Sequence, residues 1–348
     1  MFKKITMFLL SLVVVLSVCS CNNQKEPTKE PTIEPTVEPT KEPTPEATNE
    51  INIIVLCGQS NAEGHTWWIE MQRKNPALYK KYLNKEDSVL KMKYNCDAGR
   101  HVNDEYESVK FGMGFNNTRF GPEVGMNEAL EGVELTRPTY ILKYTVGGTN
   151  LFYQWKSYSS GSSGQLYDGM ILYLYEELEA LKEAGFVPYV KAICWMQGES
   201  DSNESDKVAA YGDYLNNFIN DLNTDLVDYV EETDEKIKFI DAGISESSAW
   251  KGYKEINQHK IDVEALDPDH RTYIDTIGMG LDFRTEPSSG ADIFHYDCLS
   301  MIELGKAFME EILKYNVLKW FFSLKFMNFM FINFFYAVNN FWKVPKNN

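Results

Sequence analysis

Ile51-Asn52-Ile53-Ile54-Val55-Leu56-Cys57-Gly58-Gln59-Ser60-Asn61 joins a nearly continuous apolar run to a glycine turn that carries a serine. An apolar run without alternation is what a strand needs when helices cover both of its faces, as in the middle of a parallel sheet. Residues 140–144 and 189–195 read the same way, and residues 236–240 and 272–274 are shorter candidates. Helical patterns alternate with these runs. Ile171, Leu174, Leu178 and Leu181 share one face before a stop at Gly185, and Tyr211, Leu215, Phe218, Leu222 and Leu226 form a second stripe. Ser300-Met301-Ile302-Glu303 reads as a capping box opening a helix to about residue 314. The alternation predicts a three-layer α/β/α sandwich around a mostly parallel sheet. Strand order does not follow from one sequence, and residues 62–120 read as long, loop-rich excursions.

Outside residues 51–316, which form the expected domain, the chain has a different character. Lys3 and Lys4 precede an apolar segment at residues 7–18, and Val18-Cys19-Ser20-Cys21 is similar to a bacterial lipobox. Residues 1–21 therefore read as a lipoprotein-type signal peptide with Cys21 as the lipidated residue, and the protein is expected at a bacterial cell surface. Residues 22–50 form a linker in which x-Glu-Pro-Thr recurs five times between residues 25 and 44. Proline at every fourth position forbids helix, and too little that is apolar is present to build a core. At about 3.1 Å per residue, such a tether reaches up to roughly 90 Å. Residues 317–348 are aromatic-rich but interrupted by Lys325, Asn328, Asn333, Asn339 and Asn340, which makes them a marginal membrane span. Their composition suits a translated non-coding stretch equally well, and their role is left open.

A net charge of −17 disfavours nucleic acid and anionic membrane surfaces as partners. Of six cysteines, Cys57, Cys96, Cys194 and Cys298 fall in the domain, too scattered for a disulfide framework. No Cys-x-x-Cys occurs and the five histidines show no paired ligand spacing, so neither a metal nor another cofactor is expected.

Chemistry concentrates at the ends of the apolar runs, where an open α/β sheet collects its functional loops. Ser60 follows the first run. A serine there can project its hydroxyl into a cleft, or it can simply cap a helix. Asp292 and His295 are three residues apart before the last helix. In a turn, that spacing lets the carboxylate fix the imidazole tautomer and leaves the other ring nitrogen for a hydroxyl. Gly147-Gly148-Thr149-Asn150 follows the second run and offers backbone N–H groups for an oxyanion. Gln197, after the third run, carries an amide able to donate to the same oxygen. Glu199 and Asp201 lie beside it, either holding loops together or acting as alternative orienters of His295. A serine, a histidine and an acid converging at one sheet edge point to nucleophilic acyl transfer.

Gly58-Gln59-Ser60-Asn61, Gly147-Gly148-Thr149, Trp195-x-Gln197-Gly198-Glu199-x-Asp201 and Asp292-x-x-His295 resemble the blocks of SGNH-type hydrolases. The branch they are most similar to is the sialate O-acetylesterase-like group, including carbohydrate esterase family 6. Phe120-Gly121-Pro122-Glu123 is similar to a further element of that group. The resemblance implies a flavodoxin-like fold and a cofactor-free deacetylase of O-acetylated carbohydrates. By it, Ser60 is nucleophile and His295 the base oriented by Asp292. Ser60 N–H, Gly147 or Gly148, and Gln197 form the oxyanion hole, supported by Gln59, Asn61, Glu199 and Asp201. One departure stands out: Ala62-Glu63-Gly64-His65-Thr66-Trp67-Trp68 replaces the family's usual Met and Gly/Arg-containing turn. There Trp67 and Trp68 either stack on sugar rings or pack under the loop. A lipid or aryl esterase on the same scaffold, and a glycan-binding lipoprotein without activity, are the competing expectations.

Overall fold

A computed structural model describes residues 49–314, 318 and 320–322. The signal peptide, nearly all of the linker, Cys21 and most of the tail lie outside the described residues. Glu50, assigned by composition to the linker, is the first residue of the first strand.

Six strands form the parallel body of the sheet: β1 (Glu50–Gly58), β2 (Leu90–Cys96), β3 (Thr139–Thr145), β4 (Val187–Met196), β5 (Lys238–Ala242) and β6 (Arg271–Ile274). Their order is β6-β5-β4-β1-β3-β2, and every one of these neighbours pairs in parallel. Without β2 this is the flavodoxin-like order, with β1 between β3 and β4. Short antiparallel pieces, His101–Val102 and Glu107–Ser108, edge β2. From Ile51 to Gly58 every residue of β1 is buried. Both faces of the strand are therefore covered, as its unbroken apolar run requires.

Among the described residues, eight α-helices supply the cover: α1 (Ser60–Glu63), α2 (Trp68–Lys74), α3 (Pro76–Leu83), α4 (Glu123–Glu128), α5 (Gln165–Glu183), α6 (Ser205–Asp225), α7 (Tyr253–Ala265) and α8 (Cys298–Lys314). Helices α2 and α4 pack on α8, α6 packs on α7, and α5 lies against β3 and β4. The α4–α8 contact is a glycine contact. A Cβ on Gly125 would lie 2.0 Å from the Ile302 carbonyl, and one on Gly305 would lie 2.0 Å from the Pro122 carbonyl. No larger residue permits that approach.

The stretch read as loop-rich contains β2, whose Leu90, Met92, Tyr94 and Cys96 are buried while the residues between them are not. Lys91 and Lys93 dilute its apolar signal to a period of two, which is easily missed beside fully buried strands. Helix α8 also begins before its expected capping box. The Glu286 carboxylate accepts the Cys298 N–H at 2.6 Å and starts the helix there, while the Ser300 hydroxyl accepts from the Asp282 N–H instead.

Trp320–Phe322 pairs antiparallel with Val133–Leu135, so backbone pairing continues beyond residue 316. The Phe120-Gly121-Pro122-Glu123 element supports structure. Glu123 and Lys143 form an ion pair at 2.9 Å with both side chains fully buried, and Glu123 also accepts the Gly121 N–H. Cys57, Cys96, Cys194 and Cys298 are free, buried thiols.

Candidate active site

The strand order reverses around β1, whose neighbours are β3 and β4, so the loops leaving these three strands face one another. Gly58 makes the turn out of β1. It has φ +134°, and a Cβ there would fall 2.1 Å from the Met196 carbonyl at the end of β4. Gln59 then donates its N–H to that same carbonyl at 3.0 Å. Ser60 is the first residue of α1. Gln59 occupies the cap position and makes no side-chain cap bond, which removes the capping role left open for Ser60. At this position the Ser60 N–H has no intrahelical acceptor.

Asp292 and His295 meet as their spacing predicts. The Asp292 carboxylate accepts from His295 Nδ1 at 2.6 Å, which leaves Nε2 as the other ring nitrogen. Burial pushes the Asp292 carboxyl upward, but the bond to His295 and the charge there outweigh it and hold the group below the usual carboxylate range.

Asn61 joins this loop to the serine turn. Its Oδ1 accepts the Tyr296 N–H at 3.1 Å, and its Nδ2 donates to the Phe294 carbonyl at 3.3 Å and to Glu199 Oε1 at 2.8 Å. The residue after Ser60 thus grips the backbone on both sides of His295. Glu199 is wholly buried, and burial raises its carboxyl above the usual value against the opposing Asn61 bond.

The expected oxyanion donors differ among themselves. Gln197 Nε2 faces Asp201 Oδ2 at 2.6 Å, the Thr149 carbonyl at 3.1 Å and Gln59 Oε1 at 3.2 Å. An amide nitrogen has two hydrogens, and both are committed. Gly147 N–H donates to Glu63 Oε2 at 3.1 Å. Gln197 and Gly147 therefore have no hydrogen to spare in this arrangement, because the buried carboxylates Asp201 and Glu63 take them. Gly148, at φ +71° with open space where a Cβ would project, donates to nothing among the described residues. Asp201 accepts the N–H groups of Leu151 and Phe152 as well, so it laces the β3 loop to the β4 loop.

The divergent loop after Asn61 supplies residues that the sequence reading passed over. Glu63 is wholly buried and accepts from Asp97 N–H at 2.7 Å, from Gly147 N–H and from His65 Nε2 at 2.7 Å. The His65 ring stacks on His295 with centroids 4.5 Å apart and 23° between planes, and on Phe115 at 4.5 Å and 28°. Trp68 packs against Tyr79 and Phe111 and donates to the Asn117 carbonyl, so it packs under the loop. The Trp67 ring is covered by the Arg119 guanidinium. Arg119 makes no ion pair among the described residues, and it acts electrostatically on both Asp292 and His65. On the other flank, Phe294 is 45% exposed and lies 5.5 Å from Trp250.

Among the described residues no group of three or more His, Cys, Asp or Glu side chains is placed to hold a metal ion.

Two solved structures share the fold. A protein from Arabidopsis thaliana superposes with a TM-score of 0.53 at 20% identity, covering 76% of this chain and 98% of its own. NanS superposes with a TM-score of 0.51 at 13% identity, covering 77% and 98%. No curated protein matches the chain in sequence. The family model described as carbohydrate esterase, sialic acid-specific acetylesterase, matches residues 50–314, the whole of the sheet and its helices. The chain that places Ser60, Asp292 and His295 at the switch point of this sheet is a member of that carbohydrate esterase family.

Proposed function

We propose that this carbohydrate acetylesterase removes O-acetyl groups from sialic acid-bearing glycans through an acetyl-serine intermediate. The observation that carries the reading is the Asp292–His295 bond, in a loop tied to the residue after Ser60 by the two hydrogen bonds of Asn61 to Phe294 and Tyr296. His295 Nε2 takes the Ser60 proton as Oγ attacks the acetyl carbonyl. The oxyanion that develops is received by the N–H groups of Ser60 and Gly148. His295 then returns the proton to the departing sugar oxygen, and water repeats the cycle on the acetyl group.

Arg119 favours a sialic acid over a neutral sugar as the acetyl carrier. A guanidinium without an ion pair, at the rim of the site in a chain of net charge −17, is suited to a substrate carboxylate. Phe294, exposed beside His295 and backed by Trp250, offers an apolar face to a sugar ring. The test is acetate release from acetylated sialoglycan and acetylated xylan, together with phenol release from aryl acetate, butyrate and octanoate. The expected order has sialoglycan first and short acyl groups ahead of long ones. Ser60→Ala should lower every rate by on the order of 10³-fold or more. Rates that rise with chain length would make the protein a lipid esterase, and activity of Ser60→Ala within tenfold of the parent would remove the serine route.

We place the enzyme outside the cell, tethered through Cys21, on the strength of the lipobox-like segment and the proline-punctuated linker. Cys21→Ala should release the full-length protein from membranes with its activity intact. Continued membrane association would overturn the anchor.

A further inference from the structure

We propose that Glu63 and His65 form a second carboxylate–imidazole pair, stacked on the Asp292–His295 pair, that positions His295 for proton transfer. The inference rests on the esterase reading above and concerns residues to which nothing in the family pattern gives a role.

The Asp292 bond fixes one edge of the His295 ring but leaves rotation about that edge open. His65 lies flat over the ring at 4.5 Å, and Phe115 backs His65 on its far face at the same distance. Three rings in a pile define the plane in which His295 turns over. Glu63 anchors the middle ring, accepting from His65 Nε2, and is itself held by the Asp97 and Gly147 N–H groups. The Gly147 bond matters for the other half of the site. It turns the glycine pair so that Gly148 presents the N–H without a partner. One buried carboxylate therefore sets both the base and the oxyanion loop.

The electrostatics agree. Burial is the strongest influence on His65 and lowers it below the ordinary histidine value, against the raising effect of Glu63. That direction favours the neutral ring, so His65 itself adds no like charge against His295 when the latter becomes imidazolium. The other charged groups in the neighbourhood are Arg119, which acts on His65 and Asp292, and Glu199, which lies close enough to His295 to feel its charge. A neutral ring whose N–H points at a carboxylate presents an electron-rich face to the cation that catalysis creates.

The experiment uses the full chain with three substitutions: His65→Ala, His65→Phe and Glu63→Gln. Aryl acetate hydrolysis separates kcat from KM. Proton NMR of the same variants on a Ser60→Ala background reads the low-field Nδ1–H signal of His295, a measurement that needs no activity. His65→Ala should lose on the order of tenfold to a hundredfold in kcat, with KM within about threefold, because a displaced base costs turnover rather than binding. Its Nδ1–H signal should broaden through exchange with water. His65→Phe, which keeps a ring in the pile, should recover most of kcat and sharpen the signal, and Glu63→Gln should fall between. An unchanged signal and kcat within twofold in His65→Ala would overturn the proposal. So would a loss of kcat that Phe does not rescue while the signal stays sharp, since that pattern belongs to a structural residue. If His65→Ala fails to fold, the Phe and Gln variants decide alone. If the parent shows no esterase activity, the proposed function fails while the NMR comparison still tests the stack.

Discussion

Replacing Asn61 should damage stability and turnover together, and an isosteric replacement should do so in a pH-dependent way. Asn61 is 1% exposed and satisfies two buried groups, Glu199 Oε1 and the Tyr296 N–H, and the part-buried Phe294 carbonyl. In Asn61→Ala each is stranded, at about 1–3 kcal/mol apiece. The His295 loop can relieve part of that cost by peeling away from α1, so about 2–4 kcal/mol of lost stability is expected. For a domain of this size that is a fall of roughly 5–15 °C in Tm. The same peeling moves the base, so kcat should drop by on the order of a hundredfold. Asn61→Asp keeps an acceptor for Tyr296 but sets an oxygen against Glu199 Oε1, 2.8 Å away in the parent. Two carboxyls at that distance share a proton rather than both ionise. Burial already raises Glu199, and a carboxyl raised on folding contributes stability at low pH that is lost as pH climbs. Asn61→Asp should therefore approach the parent near about pH 5 and fall progressively behind it towards about pH 8. The assay is thermal unfolding across that range, with kcat on aryl acetate. A stability deficit that is flat with pH, or an Asn61→Ala enzyme within threefold of the parent kcat, would refute the reasoning.

Lys143→Met should destabilise the fold by about 3–5 kcal/mol, because it leaves Glu123 charged and buried without its cation. The double variant Lys143→Met with Glu123→Gln should recover most of that loss in chemical denaturation, and a single variant as stable as the parent would contradict it. Gly148→Ala tests the oxyanion assignment. There is room for the methyl group, but φ +71° is strained for alanine, so the peptide should rotate and redirect its N–H. Loss of one oxyanion donor typically costs on the order of 10²–10³ in kcat, and a Gly148→Ala enzyme with unchanged kcat would remove that N–H from the mechanism.

Much of the site is legible in local sequence. The unbroken apolar run of β1 demands cover on both faces, which is the definition of a central parallel strand, and β3 and β4 carry the same signature. The turn holding Ser60 follows from a glycine at a strand end. The Asp292–His295 bond follows from a three-residue spacing inside one turn, where chain connectivity alone brings the groups together. These are short-range properties, and neighbouring residues suffice to specify them.

What only the tertiary structure decides is the allocation of hydrogens and ring contacts among residues far apart in the chain. Glu63 claims the Gly147 N–H across 84 positions, and Asn61 reaches Phe294 and Tyr296 across 233 and 235. Asp201 takes the Gln197 amide that a motif would assign to the oxyanion. Strand β2 hides behind two lysines, and Trp67 and Trp68 are covered by partners from a distant loop. A buried donor bonds whichever acceptor folding delivers to it, because leaving it unpaired costs more than any local preference provides. The sequence of this chain therefore determines which residues reach the switch point of the sheet, and the packing of the finished fold determines which of their hydrogens remain for chemistry.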